Sequence, residues 1–445
     1  MKVNRFDGSY HNAEANVYDD VITAHSSHNL SYYCSDIFTS GRARRSYTAK
    51  EFGVPFLSNS DTSSSDPFET CSYSSKKYGF DERALLKGGM ILTGRVGAIG
   101  QTSFVPKYWE RYKAMGSDNI IRIVVKTSYL NGFIYAYLAS KIGKLSFLKH
   151  STGGVQPFIT DTMVGGIPIP DFPEAFQKYV DSLIQESTQL RESAAMALEK
   201  AKKHLADHLG ITFQKQCFKS SSVSIKDTLN SLQLRLDPPA IINDGVITMG
   251  DLTKKMPFKL IGDIEGKVYR PGIFKRIYVE NGIPYIKGSE IFLMNPFRRC
   301  DKLSRTRTPF IDEMKMKEGQ ILITCAGSVG DIKLITKEYE DKHSIGSQDI
   351  IRLESQDPLY TKEYLFVYLQ QPFVYDYIQS MKYGSVIERI EPFHVESIPV
   401  IEPTKELSEE ITSIIQRYME CTYKAFNAEE KAIMMVEEEI EKWNN

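Results

Sequence analysis

The feature that most constrains this chain is that its text is written twice. Gly89-Met-Ile-Leu-Thr-Gly-Arg-Val-Gly97-Ala-Ile-Gly100 returns as Gly319-Gln-Ile-Leu-Ile-Thr-Cys-Ala-Gly327-Ser-Val-Gly330, 230 positions later. At the same offset, Gly116-Ser-Asp-Asn-Ile-Ile-Arg122 returns as Gly346-Ser-Gln-Asp-Ile-Ile-Arg352. Phe52-Gly-Val-Pro-Phe-Leu-Ser58 matches Asn281-Gly-Ile-Pro-Tyr-Ile-Lys287, Tyr137-Leu138 matches Tyr368-Leu369, and Ile167-Pro-Ile169 matches Ile398-Pro-Val400. Arg5-Phe6-Asp7 corresponds to Arg235-Leu236-Asp237. Matches in one order at nearly constant spacing mean duplication. Units of roughly 220 residues are far longer than a solenoid repeat, so a whole domain and its appendage have been copied.

Each copy has the same plan. An aromatic and β-branched body, cut by Gly, Pro, Asn and Ser clusters, reads as short strands with occasional helices. An Ile-Pro element and a long helix follow. In the first helix Asp171 and Pro173 suit a start and Gly210 a stop. Phe176, Val180, Leu183, Leu190, Ala194, Leu198, Ala201 and Leu205 share one stripe. In the second, Leu407, Ile411, Ile414, Tyr418, Cys421, Ala425, Ala428, Ala432 and Met435 step by four and three. That stepping is the seam of a coiled coil rather than a broad globular face. The stripes predict that the helices pair with each other, with Leu183, Leu190, Leu198, Ile411, Ile414, Tyr418 and Ala425 at the seam. The expected fold is α+β: a tandem mixed α/β domain with two long helices pairing as an antiparallel coiled coil. The expected boundaries are 1–170 and 231–402 for the domains, 171–210 and 403–445 for the helices, and 211–230 for a linker.

The glycine-rich turns raise the possibility of a phosphate cradle. A P-loop needs GxxxxGK[ST], but Arg95-Val96 follow the spaced pair Gly89 and Gly94, and no GxGxxG occurs there. The second copy puts Asp331 just after the turn, where it would repel phosphate. What both copies keep is strand, glycine turn and a further apolar run, as a tight turn between strands requires.

Other candidate chemistry is weaker. Asp237-Pro238-Pro239-Ala240 is similar to the DPPY motif of amino-methyltransferases, but alanine cannot stack on a flipped base. A linker or turn is the better reading. His204 and His208 are four apart on a helix but have no spaced acidic or thiol partner for a metal. No nucleophile–base arrangement is recognisable, so no catalytic or metal site is expected.

Basic and aromatic runs say more. Gly41-Arg42-Ala43-Arg44-Arg45-Ser46-Tyr47 is loop-like, and its counterpart contains Arg270, Lys275, Arg276 and Tyr278. A second basic stretch carries Arg298, Arg299, Lys302, Arg305 and Arg307. Such residues, interleaved with Ser, Thr and Tyr, suit phosphate contacts and groove edges. Together with Arg95 they are the candidate DNA-binding residues. Lys plus Arg (55) nearly cancel Asp plus Glu (56), so such binding must come from local patches rather than net charge. Six scattered cysteines without a CxxC pair suit a reducing cytoplasm, the expected location.

The order of these elements resembles the specificity (S) subunit of type I restriction–modification enzymes. The resemblance rests on Gly319-Gln-Ile-Leu-Ile323…Gly327-Ser-Val-Gly330 and on Ser151-Thr-Gly-Gly-Val-Gln156…Ile167-Pro-Ile-Pro170…Pro173…Gln177. It also rests on their partial repeat in Tyr383-Gly-Ser-Val386…Ile398-Pro-Val400, and covers nearly the whole chain. It implies that each domain reads one half of a split, asymmetric double-stranded DNA site. It further implies that the paired helices hold the domains apart and dock two methyltransferase subunits, with restriction–translocase subunits joining for cleavage. S-adenosylmethionine, ATP and Mg would then act in those partners, and none in this chain. The recognition subunit of a combined cleavage–methylation enzyme has a similar plan. The competing readings are a stand-alone adenine methyltransferase using Asp237-Pro-Pro-Ala240 and a coiled-coil adaptor that does not read DNA. The counterpart of Leu260-Ile-Gly-Asp-Ile264 in the first copy is expected no closer than Ser35-Asp36-Ile37.

Overall fold

A computed structural model describes residues 13–42, 45–153, 156–211, 235 and 237–443. The expected linker 211–230, apart from Ile211, and the Arg5-Phe6-Asp7 match lie outside them. The chain divides into two units, one of residues 1–192 and 424–445, the other of 193–423.

The first unit is organised by a four-stranded antiparallel sheet in the order Cys34–Thr39, Ile120–Val125, Ile91–Gly94, Thr102–Phe104. Ile91, Ile121 and Ile123 are buried in one core with Phe133, Tyr137, Leu138 and Phe147. Those last four belong to the helices Asn131–Ala139 and Lys141–His150. The first of these is apolar almost all round, so it sits inside the unit rather than on its surface. A three-stranded sheet follows the order Ser72–Ser75, Gly53–Leu57, Met115–Gly116. A short antiparallel pair joins His28–Asn29 to Pro168–Ile169.

The second unit repeats every part. Its four-stranded sheet runs Gly266–Tyr269, Ile350–Ser355, Ile321–Thr324, Ile332–Leu334, and its three-stranded sheet Asp301–Leu303, Tyr278–Ile286, Ile345–Gly346. Phe258–Leu260 pairs with Pro399–Ile401, and helices Lys362–Leu369 and Pro372–Ser380 fill the core. The glycine segments are hairpins in both units, Ile91–Gly94 with Thr102–Phe104 and Ile321–Thr324 with Ile332–Leu334. Gly89, Gly97 and Gly100 have φ of 81, 80 and 74°, and Gly319, Gly327 and Gly330 have 81, 78 and 90°. Six left-handed backbones explain the six glycines, and they answer the phosphate-loop question in favour of a turn.

Three sequence expectations need correction. The counterpart of Leu260–Ile264 is the stretch from Asn29, not Ser35-Asp36-Ile37: Leu30 donates its N–H to Ile167 O as Ile261 does to Ile398 O. Ser35–Ile37 lie within the following strand, and the preceding helices Ala13–Ala24 and Asp244–Lys255 also correspond. Exposed histidines at 25 and 28 had disguised this start. Asp237-Pro-Pro-Ala240 is not merely a turn, since Pro238–Ile241 forms one helical turn whose N1 proline needs no N–H partner.

The third correction concerns the long helices, Glu174–His208 and Lys405–Trp443. The first begins directly after Pro173 and ends at Gly210, whose φ of 62° lets Ile211 N–H return to Ala206 O. Each helix contributes to both units. Within the first unit the two run antiparallel: Phe172 stacks on Trp443, Tyr179 meets Lys431, and Ser187 donates to Ala425 O. Within the second, His204 meets Glu410 at 2.7 Å, and Ala201, Leu205 and Leu209 share a core with Leu407, Ile411 and Ile415. Of the residues expected at the seam, Leu183, Leu198, Ile411 and Ala425 are buried. Leu190, Ile414 and Tyr418, however, are only half-buried, while Ile415, Met419, Phe426, Ile433, Val436 and Ile440 are buried. The buried face is broader than a four-three seam because each helix also covers its own unit's core.

Candidate nucleic-acid interface

In the second unit the strand Tyr278–Ile286 lies antiparallel to Asp301–Leu303, with a bulge that sets both Tyr278 and Ile283 opposite Leu303. Ser304 N–H continues the pairing to Ile277 O at 3.0 Å. This register brings the two basic stretches together, Lys275 and Arg276 just before one strand with Tyr278 at its start, and Lys302, Arg305 and Arg307 on and beyond the other. Lys275, Tyr278, Lys302, Arg305 and Arg307 are exposed, as is Arg299 in the preceding turn, whereas Arg298 is half-buried. Arg276 is anchored: its Nε donates to the buried Tyr285 Oη at 2.8 Å, and its guanidinium lies 3.6 Å from Asp349. Arg270 lies apart from this sheet, at the edge of the four-stranded one, 3.1 Å from Glu391 and 3.9 Å from Cys325 Sγ.

In the first unit Arg42 and Arg45 converge on one carboxylate, Asp118, at 3.6 and 3.3 Å. Tyr47 bridges to Ser74, stays exposed and meets Phe56 edge to face. Arg45, Tyr47, Phe56, Asp81 and Asp118 line one small cleft. Arg95 is half-buried beside this loop, its N–H bonded to Asn119 O at 2.8 Å. Arg44 lies outside the described residues.

Asp118 and Asp349 sit at the tips of the two duplicated loops, Gly116–Arg122 and Gly346–Arg352. Each loop is pinned from inside by its own arginine. Arg122 donates to the carbonyls of Gly116, Ile120 and Ala84 at 2.6, 2.9 and 3.0 Å. Arg352 donates to Gly346 and Ile350 at 2.9 and 2.8 Å and to Met314 at 3.4 Å. Both side chains are fully buried, and that burial lowers each guanidinium to about 10, still charged near neutrality. Carbonyl dipoles rather than carboxylates hold these two charges. The arrangement fixes the backbone of a loop whose outer side chains vary between units.

Sequence reasoning missed the acidic side of this surface. Asp118, Asp349 and Glu391 hold four of the nominated arginines in place. The signal available was an Asp within two residues of the repeated Gly-Ser, Asp118 directly after it in one copy and Asp349 one position further in the other. Burial pushes the Cys34 thiol up to about 12 and Cys71 to about 11, and raises Cys325. Among the described residues no cluster of His, Cys, Asp or Glu is set to hold a metal, and no helix is long and apolar enough to cross a membrane. His204 is half-exposed and engaged with Glu410, and His208 is exposed. Ion-paired arginines, exposed lysines and exposed tyrosines are groups of the kind that suit a polyanion, whose phosphates can take the place of carboxylates.

Residues 257–433 match the family described as the type I restriction modification DNA specificity domain. Among solved structures, the chain is similar to the type I restriction–modification system S subunit from M. genitalium, at 12% identity and a TM-score of 0.35, covering 93% of this chain and 94% of that one. It is also similar to the HsdS subunit from Thermoanaerobacter tengcongensis, at 13% identity and a TM-score of 0.27, covering 92% and 94%. None of the curated proteins matches the chain.

Proposed function

We propose that this chain, whose residues 257–433 match the type I restriction modification DNA specificity domain family, is the DNA-recognition subunit of such a system and reads a bipartite, asymmetric site. The observation that carries this reading is that the family's domain is present and its architecture is repeated in the first unit. All three sheets recur there in the same order. The two frames agree while their outer loops differ, serine-rich from Ser58 to Lys77 and basic from Gly288 to Arg307. One frame with two loop sets suits two different half-sites.

On this reading the chain itself is non-catalytic. Its work is to hold DNA in register for two methyltransferase subunits, which supply S-adenosylmethionine chemistry, and for restriction subunits, which supply ATP- and Mg-dependent cleavage. The rival reading as a methyltransferase fares poorly. Asp237 is ion-paired to Arg235, and Pro238 opens a helical turn rather than presenting a stacking aromatic. Co-expression with an adenine methyltransferase subunit of a type I system from the same genome is the test. Adenine methylation at a defined site should appear only when both chains are present. Methylation unchanged without this chain would end the proposal.

A further inference from the structure

The duplication allows every position in one unit to be checked against its partner position in the other, and at one corner the comparison is informative. Tyr269 pairs with Arg352 and Phe38 with Arg122, so Arg270 and Thr39 are the next residues along equivalent edge strands. On the other side of the strands Ile350–Ser355 and Ile120–Val125, just past Ile321–Thr324 and Ile91–Gly94, Cys325 N–H bonds Asp349 O as Arg95 N–H bonds Asn119 O. Ile390 N–H likewise bonds Cys325 O as Ile159 N–H bonds Arg95 O. Cys325 and Arg95 are therefore equivalent. In the second unit the ends of the two strands flanking Ile350–Ser355 meet, with Arg270 Nη1 3.9 Å from Cys325 Sγ.

The first unit thus has threonine and arginine where the second has arginine and cysteine. Each corner carries one arginine, delivered from opposite strands. A third position follows the same exchange. Glu391, which pairs with Arg270, caps the helix Pro392–Glu396 where Thr160 caps Asp161–Gly165. Both corners adjoin the loop tips, Asp118-Asn119 and Gln348-Asp349, on which Arg42, Arg45 and Arg276 converge.

We propose that this corner is a DNA-backbone contact in both units, and that what is maintained is the guanidinium's place and not the residue that supplies it. The inference rests on the DNA-recognition reading above and adds a role to it. A group present in both units, while the loops around it diverge, serves what two different half-sites have in common, namely phosphate rather than base edges.

The test moves the charge. Full-length chain is titrated with two unrelated mixed-sequence 40-base-pair duplexes over a range of salt. Arg270→Thr should weaken binding to both duplexes alike, by about tenfold, and lower the salt slope by about one. Adding Cys325→Arg and Glu391→Thr, which copies the first unit's corner, should restore both. The reciprocal Arg95→Cys, and its rescue by Thr39→Arg, repeats the experiment in the other unit should the first series fold poorly. A rescue that fails in folded variants, a loss confined to one duplex, or no loss at all overturns the inference. Failure of the unaltered chain to bind either duplex would instead overturn the DNA-recognition reading on which it stands.

Discussion

Arg122 and Arg352 are the residues on which both units' surfaces depend, although neither faces solvent. An arginine can serve here because its planar fork reaches several carbonyls at once, which a lysine's single ammonium cannot. Replacing Arg352 with Met should leave the carbonyls of Gly346, Ile350 and Met314 without their donor inside a dry core. The expected cost is at least ~3 kcal/mol, read as an earlier urea unfolding midpoint, and Arg352→Lys should recover little of it. Full recovery by lysine would show that charge alone, not the fork, is what the loop needs. The repeated Arg was plain in the text, but its burial was not. A sequence shows that an arginine recurs, whereas only the fold shows that it points inward.

Between residues and the molecule stand the elements, and here the long helices carry the most information. The sequence stripe identified both helices and their antiparallel pairing but made the buried face too narrow. Periodicity reports which residues are apolar, while Tyr418 and Ile414 pack against a core that joins both long helices to the globular part of the unit, Tyr418 stacking on Phe366. Polar anchors were invisible to that pattern as well. Glu429, almost buried, accepts from Tyr135 Oη at 2.6 Å and pairs with Arg191 on the other long helix. Deleting one partner of such a pair strands the other, so Glu429→Ala should destabilise the first unit by about 3 kcal/mol. The double change Arg191→Met with Glu429→Met should recover most of that loss, as monitored by thermal unfolding. Equal losses in the single and double variants would indicate that the pair contributes nothing beyond packing.

At the scale of the whole molecule, duplication was the most legible property of the sequence and the most productive. It forecast two equivalent frames, and all three sheets recur in order. It failed at the first unit's start, where Asn29-Leu30 and Leu260-Ile261 make the same backbone bonds with little shared text. Backbone pairing constrains hydrogen bonds more strongly than side chains, so the element survived while its letters changed. Of the candidate DNA surface, the basic runs mark themselves by composition, but the carboxylates that hold them are brought in by folding from distant loops. The central claim is that each unit reads its own half of one site. Mapping methylated adenines in cells that carry this chain with its methyltransferase, before and after Lys302→Ala, Arg305→Ala and Arg307→Ala are combined, tests it most directly. The account predicts a motif of two fixed segments around an unspecified spacer, with relaxed specificity in one segment only. A single contiguous motif, or the same relaxation in both segments, would contradict it.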